Sequence, residues 1–292
     1  MRGDPEAHEL IAAASLSDAL ARLAGAPGAW TPIAGGTELM VAHAAGRLNT
    51  PKLISLWGLA ELNFIHISGD WLSIGGGVNF GQMRRDAAIA EDFPLLSRAA
   101  GWIGSIANQN RATIAGNIVN GSPAADAPPA LLVYDAEIEL ISQRGTRRLP
   151  YSDFHLGYKQ SVLQADELVF ALHLPRRFAK HAQYLRKVGT RKAMAITKVA
   201  LAGTAMVEDG CVTEIRIAAA SVADRPLRML ATEAALSGQK LTAETRLAAH
   251  TALLNEVRPI DDIRSTAEYR RQVAANLLDE FFKELVCRGS AE

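Results

Sequence analysis

The run NQNRATIAGNIVNGSPAAD at residues 108–126 limits what this chain can fold into more than any other stretch. It is too polar for a core strand and too apolar for a solvated linker. Gly116 lets the backbone come close to a ligand, because a missing Cβ permits both unusual dihedrals and close approach. Thr113, Asn117, Asn120 and Ser122 bring short hydrogen-bonding side chains to one place, and Asp126 adds an acceptor-only carboxylate. An irregular surface loop has the same composition, so the run by itself leaves both readings open.

A second run, Pro32-Ile33-Ala34-Gly35-Gly36-Thr37-Glu38-Leu39, narrows them. An apolar strand over 30–33 enters a Gly-Gly turn and then a helical pattern over 37–45. A strand, glycine turn and helix start expose backbone N–H groups that can cradle a phosphate. Gly-Gly-Thr is a weak signal alone: it lacks the lysine of a P-loop and is not the G-x-G-x-x-G of a Rossmann turn.

Together the two runs resemble the flavin subunit of molybdenum hydroxylases, the family of xanthine dehydrogenases and the carbon monoxide dehydrogenase medium subunit. Ala34-Gly35-Gly36-Thr37-Glu38-Leu39 is similar to its first FAD loop, A-G-G-T-D-L. Asn110-Arg111-Ala112-Thr113-Ile114-Ala115-Gly116-Asn117-Ile118 is similar to its second, R-N-x-A-T-I-G-G-N-I, continued by Ser122-Pro123-Ala124-Ala125-Asp126. Gln109 stands where the family has arginine, Ala115 replaces the first glycine of G-G-N, and Glu38 replaces aspartate. A third segment, 258–270 (RPIDDIRSTAEYR), resembles a C-terminal signature of the same family.

The resemblance implies an α+β protein. Two small α/β subdomains, about 1–55 and 56–175, would form a PCMH-type FAD-binding domain, followed by a C-terminal domain at 176–292 with an antiparallel sheet and helices. It implies non-covalent FAD held by Pro32, Ile33, Ala34, Gly35, Gly36, Thr37, Glu38 and Leu39. Ala112, Thr113, Ile114, Ala115, Gly116, Asn117, Val119, Ala125 and Asp126 would contribute from the second loop. Val169 and Lys187 would lie near the isoalloxazine, where a cation stabilises the anionic reduced ring. Molybdopterin and [2Fe–2S] clusters would reside in a large and a small partner subunit, in a dimer of heterotrimers. Electrons would pass from the clusters through this subunit to NAD⁺, oxygen or a quinone. Two other readings compete: a stand-alone flavin oxidase or reductase of the same fold, and a scaffold subunit that has lost FAD.

Local chemistry offers plainer roles for the same residues. Asp126 is placed to cap a helix begun by Pro128-Pro129, and Arg186, Lys187, Arg191 and Lys192 read as a solvated basic face. His155 and Tyr158 read as packed side chains. Lysine and arginine balance aspartate and glutamate at 31 each, so neither a nucleic acid nor an anionic membrane is implied. No run is long enough for a membrane span, and acid and proline near the start do not suit a signal peptide. These features point to the cytoplasm. Two cysteines cannot supply the four thiolates of an iron–sulfur cluster; Cys211 and Cys287 read as buried thiols. No histidine spacing suggests a metal site, and no Ser/His/Asp or paired-carboxylate arrangement suggests substrate chemistry.

Periodicity predicts a helix over 17–24 capped by Ser17 and strands over 52–56, 63–67 and 71–74. Gly75-Gly76-Gly77 reads as a strand end with a bulge or bend. Helices are expected over 80–90, 94–104 and from Pro128 to 134, and strands over 137–141 and 168–174. Glu208-Asp209-Gly210 between apolar runs predicts a hairpin. Helices should follow over 227–236, 242–254 and 265–285, the last with a capping box from Ser265.

Overall fold

The computed structural model describes residue 4 and residues 7–289, and for 288 and 289 only the backbone. Among the described residues three larger sheets follow one another along the chain, with a two-stranded ladder beside them. The first is parallel, with β1 (Glu9–Ala12), β2 (Thr31–Ile33) and β3 (Lys52–Ser55) in the order β1-β3-β2. Two helices serve as its crossovers, α1 (Leu16–Gly25) and α2 (Leu39–Ala44). Helix α1 buries Leu16, Ala19, Leu20 and Leu23, the spacing of one helical face. Its cap is Ser15, whose hydroxyl accepts from the Asp18 N–H, and not Ser17 as the sequence suggested.

The second sheet is antiparallel in the order β4-β5-β10-β6-β7. Its strands are β4 (Ile65–Ser68), β5 (Trp71–Gly75), β6 (Glu137–Ser142), β7 (Gly145–Pro150) and β10 (Leu168–Pro175), with β8 (His155–Gly157) and β9 (Gln160–Ser161) as a separate small ladder. Alternation in β6 sends Ile138 and Leu140 inward. Between β5 and β6 run α3 (Phe80–Arg85), α4 (Ala87–Asp92), α5 (Pro94–Ala100), α6 (Ile106–Gln109), α7 (Ile114–Val119) and α8 (Pro128–Val133). The helix expected over 80–90 breaks at Asp86, which ends α3 and whose carboxylate accepts from the Ile89 N–H to start α4. Of the 19 residues at 108–126, eight are helical, the end of α6 and the whole of α7, and the rest are turns and irregular backbone.

The third sheet is antiparallel, β11 (Ala182–Val188), β12 (Val199–Glu208), β13 (Cys211–Ala220) and β14 (Leu227–Arg228) in that order. Asp209 and Gly210 close the β12–β13 hairpin with φ of 50° and 75°, as a two-residue turn with positive φ at both positions requires. Helices α9 (Leu230–Leu236), α10 (Ala243–Glu256) and α11 (Ala267–Gly289) follow. Thr266, and not Ser265, accepts from an N–H of the first turn of α11. No described helix is long and apolar enough to cross a membrane.

The α+β class expected from the sequence is the one observed. Leu185, Ala202 and Ala218 of the third sheet belong to the same core as β5, β6, β10 and α8, so the second and third sheets are packed through α8. On the opposite face of the third sheet, α11 lies across β12. At Gly203 the sheet meets the Phe281 ring with no room for a side chain: a Cβ there would sit 2.5 Å from Cε1. Of the two cysteines, Cys287 is exposed and Cys211 half-buried, so neither is the buried thiol expected. Overpacking a filled site costs about 1–3 kcal/mol. Gly203→Val should therefore lower the melting temperature, whereas Gly25→Ala, with open space at its Cβ position, should stay within about 0.5 kcal/mol of the parent. Equal stability of the two variants would refute this packing.

Candidate functional site

The two glycine runs meet backbone to backbone. A Cβ on Gly35 would lie 1.8 Å from the Arg111 carbonyl oxygen, so only glycine permits this contact. Gly36 adopts φ of 72°, which turns the chain from β2 into α2. Among the described residues, no protein acceptor takes the N–H groups of Gly35, Gly36, Thr37 or Glu38. These four consecutive donors follow a strand and precede a helix, the arrangement expected from the sequence.

The second run behaves differently. Thr113 caps α7, its hydroxyl accepting from the Gly116 N–H at 3.2 Å while its carbonyl accepts from Asn117 at 3.0 Å. Ile114 donates to the Val78 carbonyl and Ala115 to that of Gly76. The N–H groups of residues 114–117 are all engaged inside the protein, so Gly116 and Asn117 offer no free backbone donor. Gly116 has no positive φ, and a Cβ on it would meet only the Thr113 hydroxyl, at 3.0 Å. What this loop leaves without a partner is a side-chain atom: Asn117 Oδ1 is buried and unbonded. Such an atom is costly unless an added donor reaches it.

Gly75-Gly76-Gly77 ends β5 as expected, and its lack of side chains serves close packing. A Cβ on Gly76 would lie 2.3 Å from the Val169 carbonyl and 3.1 Å from the Ala115 methyl. Val169 is buried where β10 shifts register against β6, between Val169 and Ala171. A cleft of about 160 Å³ opens beside the loops, lined among others by Ala34, Trp57, Leu59, Asn63, Asn79 and Thr113. The Arg111 guanidinium stacks on Trp57, 4.0 Å from the ring centre.

Asp126 does not cap α8, whose preceding residue Ala127 makes no side-chain cap. Its Oδ2 accepts from Lys187 Nζ at 2.7 Å, and its Oδ1 accepts from the Thr197 hydroxyl at 2.5 Å. Burial pushes the Asp126 carboxyl above its ordinary range, and Lys187 and Thr197 oppose that shift. Lys187 thus leaves the solvated basic face read from the sequence; Arg186 and Arg191 remain on it. Ala125 is buried beside Asp126, and Val119 is exposed at the end of α7. Pro32 and Ile33 lie in β2, Leu39 opens α2, and Ala112 precedes the Thr113 cap. The structure therefore gathers the predicted residues into two groups, the abutting loops and the Asp126–Lys187 pair, connected by α7 and residues 120–126. Thr197 escaped the sequence reading because no motif surrounds it. Of the two outlying candidates, His155 is buried against the Tyr151 hydroxyl, and burial with the Arg225 charge lowers it to about 4. Tyr158 is exposed, against expectation.

The sequence model of the FAD binding domain in molybdopterin dehydrogenase matches residues 6–177. The chain belongs to this family. Residues 184–285 match the CO dehydrogenase flavoprotein C-terminal domain. A xanthine dehydrogenase FAD-binding subunit of Escherichia coli O157:H7 is 31% identical over 282 residues, 96% of each chain. The glyceraldehyde dehydrogenase medium chain of Sulfolobus acidocaldarius is 28% identical, covering 96% of this chain and 99% of its own. Among solved structures, a carbon monoxide dehydrogenase from Hydrogenophaga pseudoflava superposes with a TM-score of 0.92 at 28% identity, covering 98% of this chain and 99% of the other. The site suits the family's cofactor. Four free donors match a pyrophosphate, which needs donors more than cations, and buried Asn117 Oδ1 suits a hydroxyl of the dinucleotide.

Breaking a buried pair by removing one partner costs about 3–5 kcal/mol, whereas replacing both by apolar groups is often neutral. Asp126→Ala should destabilise the FAD-free chain by that amount in denaturant unfolding, and Asp126→Leu combined with Lys187→Met should recover most of it. An additive double variant would show that the two residues are not coupled.

Proposed function

We propose that this chain is the FAD-carrying electron-transfer subunit of a molybdenum-containing hydroxylase or dehydrogenase. Its partners would be a large molybdopterin subunit and a small [2Fe–2S] subunit, arranged as a dimer of heterotrimers in the cytoplasm. Electrons would arrive from the clusters of the small subunit and leave to NAD⁺, oxygen or a quinone. Residues 1–175, as subdomains 1–55 and 56–175, would hold FAD with the residues named from the sequence, and 176–292 would complete the site with Lys187. The observation that carries this reading is the Gly35–Arg111 contact, which fixes an open row of donors at the edge of a cleft.

When bound, FAD supplies a carrier that takes and gives electrons singly or in pairs. The chain's own residues bind and orient it. Gly35 to Glu38 offer N–H groups to the phosphates. Asn117 would accept from a hydroxyl of the cofactor, and Lys187 would supply positive charge toward the anionic reduced ring. Among the described residues no three His, Cys, Asp or Glu side chains gather as a metal site. The clusters and the molybdenum would lie in the partners, since two cysteines cannot supply the four thiolates of a cluster.

Purified protein should be yellow, and acid should release FAD to the supernatant, since neither glycine loop contains a His or Cys for covalent attachment. Hydrogen bonds to charged groups contribute roughly 1.5–3 kcal/mol each. Displacing two donors by Gly35→Ala should weaken FAD binding by about 10²–10⁴, while Gly25→Ala, outside both loops and with open space at its Cβ position, retains the flavin. Loss of flavin by both variants, or by neither, would sink the assignment of the first loop. Separately, the FAD-loaded chain without partners should not oxidise xanthine, an aldehyde or a heteroaromatic. Substrate-dependent flavin reduction by that chain would favour a stand-alone oxidase instead.

A further inference from the structure

The family-like segment 258–270 lies outside both glycine loops, and nothing in the cofactor site described so far uses it. Its central feature is a carboxylate–guanidinium cluster, buried at Arg270 and half-buried at Asp262 and Arg264. Arg270, 3% exposed, donates from Nη2 to Asp262 Oδ1 at 2.7 Å and from Nη1 to the Ser221 carbonyl at 3.1 Å. Asp262 also accepts from Arg264 Nε and Nη2, at 2.9 and 2.5 Å, and from the N–H groups of Arg264 and Ser265. Burial acts to raise the Asp262 carboxyl, but these bonds from Arg264 and Arg270 together hold it well below the usual carboxylate range.

The group this cluster grips is unusual. Ser221 follows β13 with φ of 64°, a conformation that residues with a side chain rarely adopt and that the surroundings must impose. Each of its polar groups bonds a different part of the molecule. Its carbonyl accepts from Arg270, its N–H donates to the Pro123 carbonyl at 2.8 Å, and its hydroxyl donates to the Thr197 carbonyl at 2.9 Å. Pro123 lies three residues before Asp126, and the Thr197 hydroxyl donates to Asp126. A continuous run of bonds therefore leads from Asp262 and Arg270 through Ser221 to both supports of the carboxylate that Lys187 touches.

We propose that Asp262 and Arg270 are positioning residues for Lys187, acting through Ser221, Thr197 and Asp126. They hold Ser221 in its left-handed conformation. Ser221 in turn sets the height of the 123–126 segment against the turn before β12, and so fixes where the ammonium group stands. Groups two steps removed from a functional side chain commonly fix its orientation in this way. The role of Lys187 toward the flavin ring rests on the function proposed above; the positional coupling itself does not.

The test uses the full-length chain in its complex, and the FAD-free chain for the coupling alone. In the FAD-free chain, Arg270→Met and Thr197→Val should speed amide hydrogen exchange about tenfold in peptides spanning 120–127 and 184–190, while Thr197→Ser, which restores the hydroxyl, exchanges like the parent; tenfold corresponds to about 1.4 kcal/mol. In the complex, Arg270→Met and Thr197→Val should lower the flavin midpoint potential, as Lys187→Met does, and Arg270→Met should add nothing in the Lys187→Met background. A cycle of this kind isolates coupling between residues that do not touch. Unchanged exchange, or a shift from Arg270→Met that adds in full to that of Lys187→Met, would overturn the proposal. If Arg270→Met does not accumulate, Thr197→Val against Thr197→Ser decides by the same two readouts. A parent chain that binds no flavin would defeat the proposed function, and the exchange result would still decide the coupling.

Discussion

One buried carboxylate joins the two halves of this molecule. Asp126 stands at the end of the second glycine run, and its two oxygens are taken by Lys187 of β11 and Thr197 ahead of β12. Neither partner is near it in sequence, so the contact exists only when the third sheet is docked against α8. Taking one partner from a buried pair is severe, while replacing the whole pair with apolar groups is often neutral. Such a pair therefore acts more as a constraint on relative position than as a source of stability. The proposed cofactor site would inherit that constraint, because α7 and Asp126 belong to one short piece of chain.

The two glycine loops share a signature and divide the work. The first keeps its N–H groups open and uses glycine where backbone meets backbone, at Gly35, and where φ is positive, at Gly36. The second engages its N–H groups with Thr113, Gly76 and Val78, and so forms a fixed wall against which the first loop is set. A ligand between them would meet donors from one side and side-chain atoms from the other.

The departures from the family pattern have local explanations. Gln109 is buried, accepting from Arg84 at 2.6 Å and donating to the Gly101 carbonyl at 3.0 Å. An arginine at that position would bring like charge against Arg84. Ala115 lies inside α7 without positive φ, so glycine's conformational freedom is not needed there, and its methyl packs beside Gly76. Glu38 precedes α2 without capping it, and is exposed.

By itself the sequence determined the elements whose cause is local. The β12–β13 hairpin follows from Asp209-Gly210, because few other residues accept positive φ in succession. Helix α8 starts at Pro128-Pro129, because proline's missing N–H is unneeded in a first turn. The turn at Gly35-Gly36 was legible for the same kind of reason. The α+β class and the cofactor were readable through motif resemblance. The short strands β1, β8 and β9 were not, since each depends on a partner strand more than on its own pattern. Nor was the fate of Asp126, whose chemistry suits a helix cap as well as an ion pair. The tertiary structure decided that question, and with it the burial of Lys187, the use of Thr197 and the strained Ser221. A side chain's capacity to bond belongs to the residue, but its partner belongs to the fold. Here the partners stand 61 and 71 positions away, beyond the reach of any local rule.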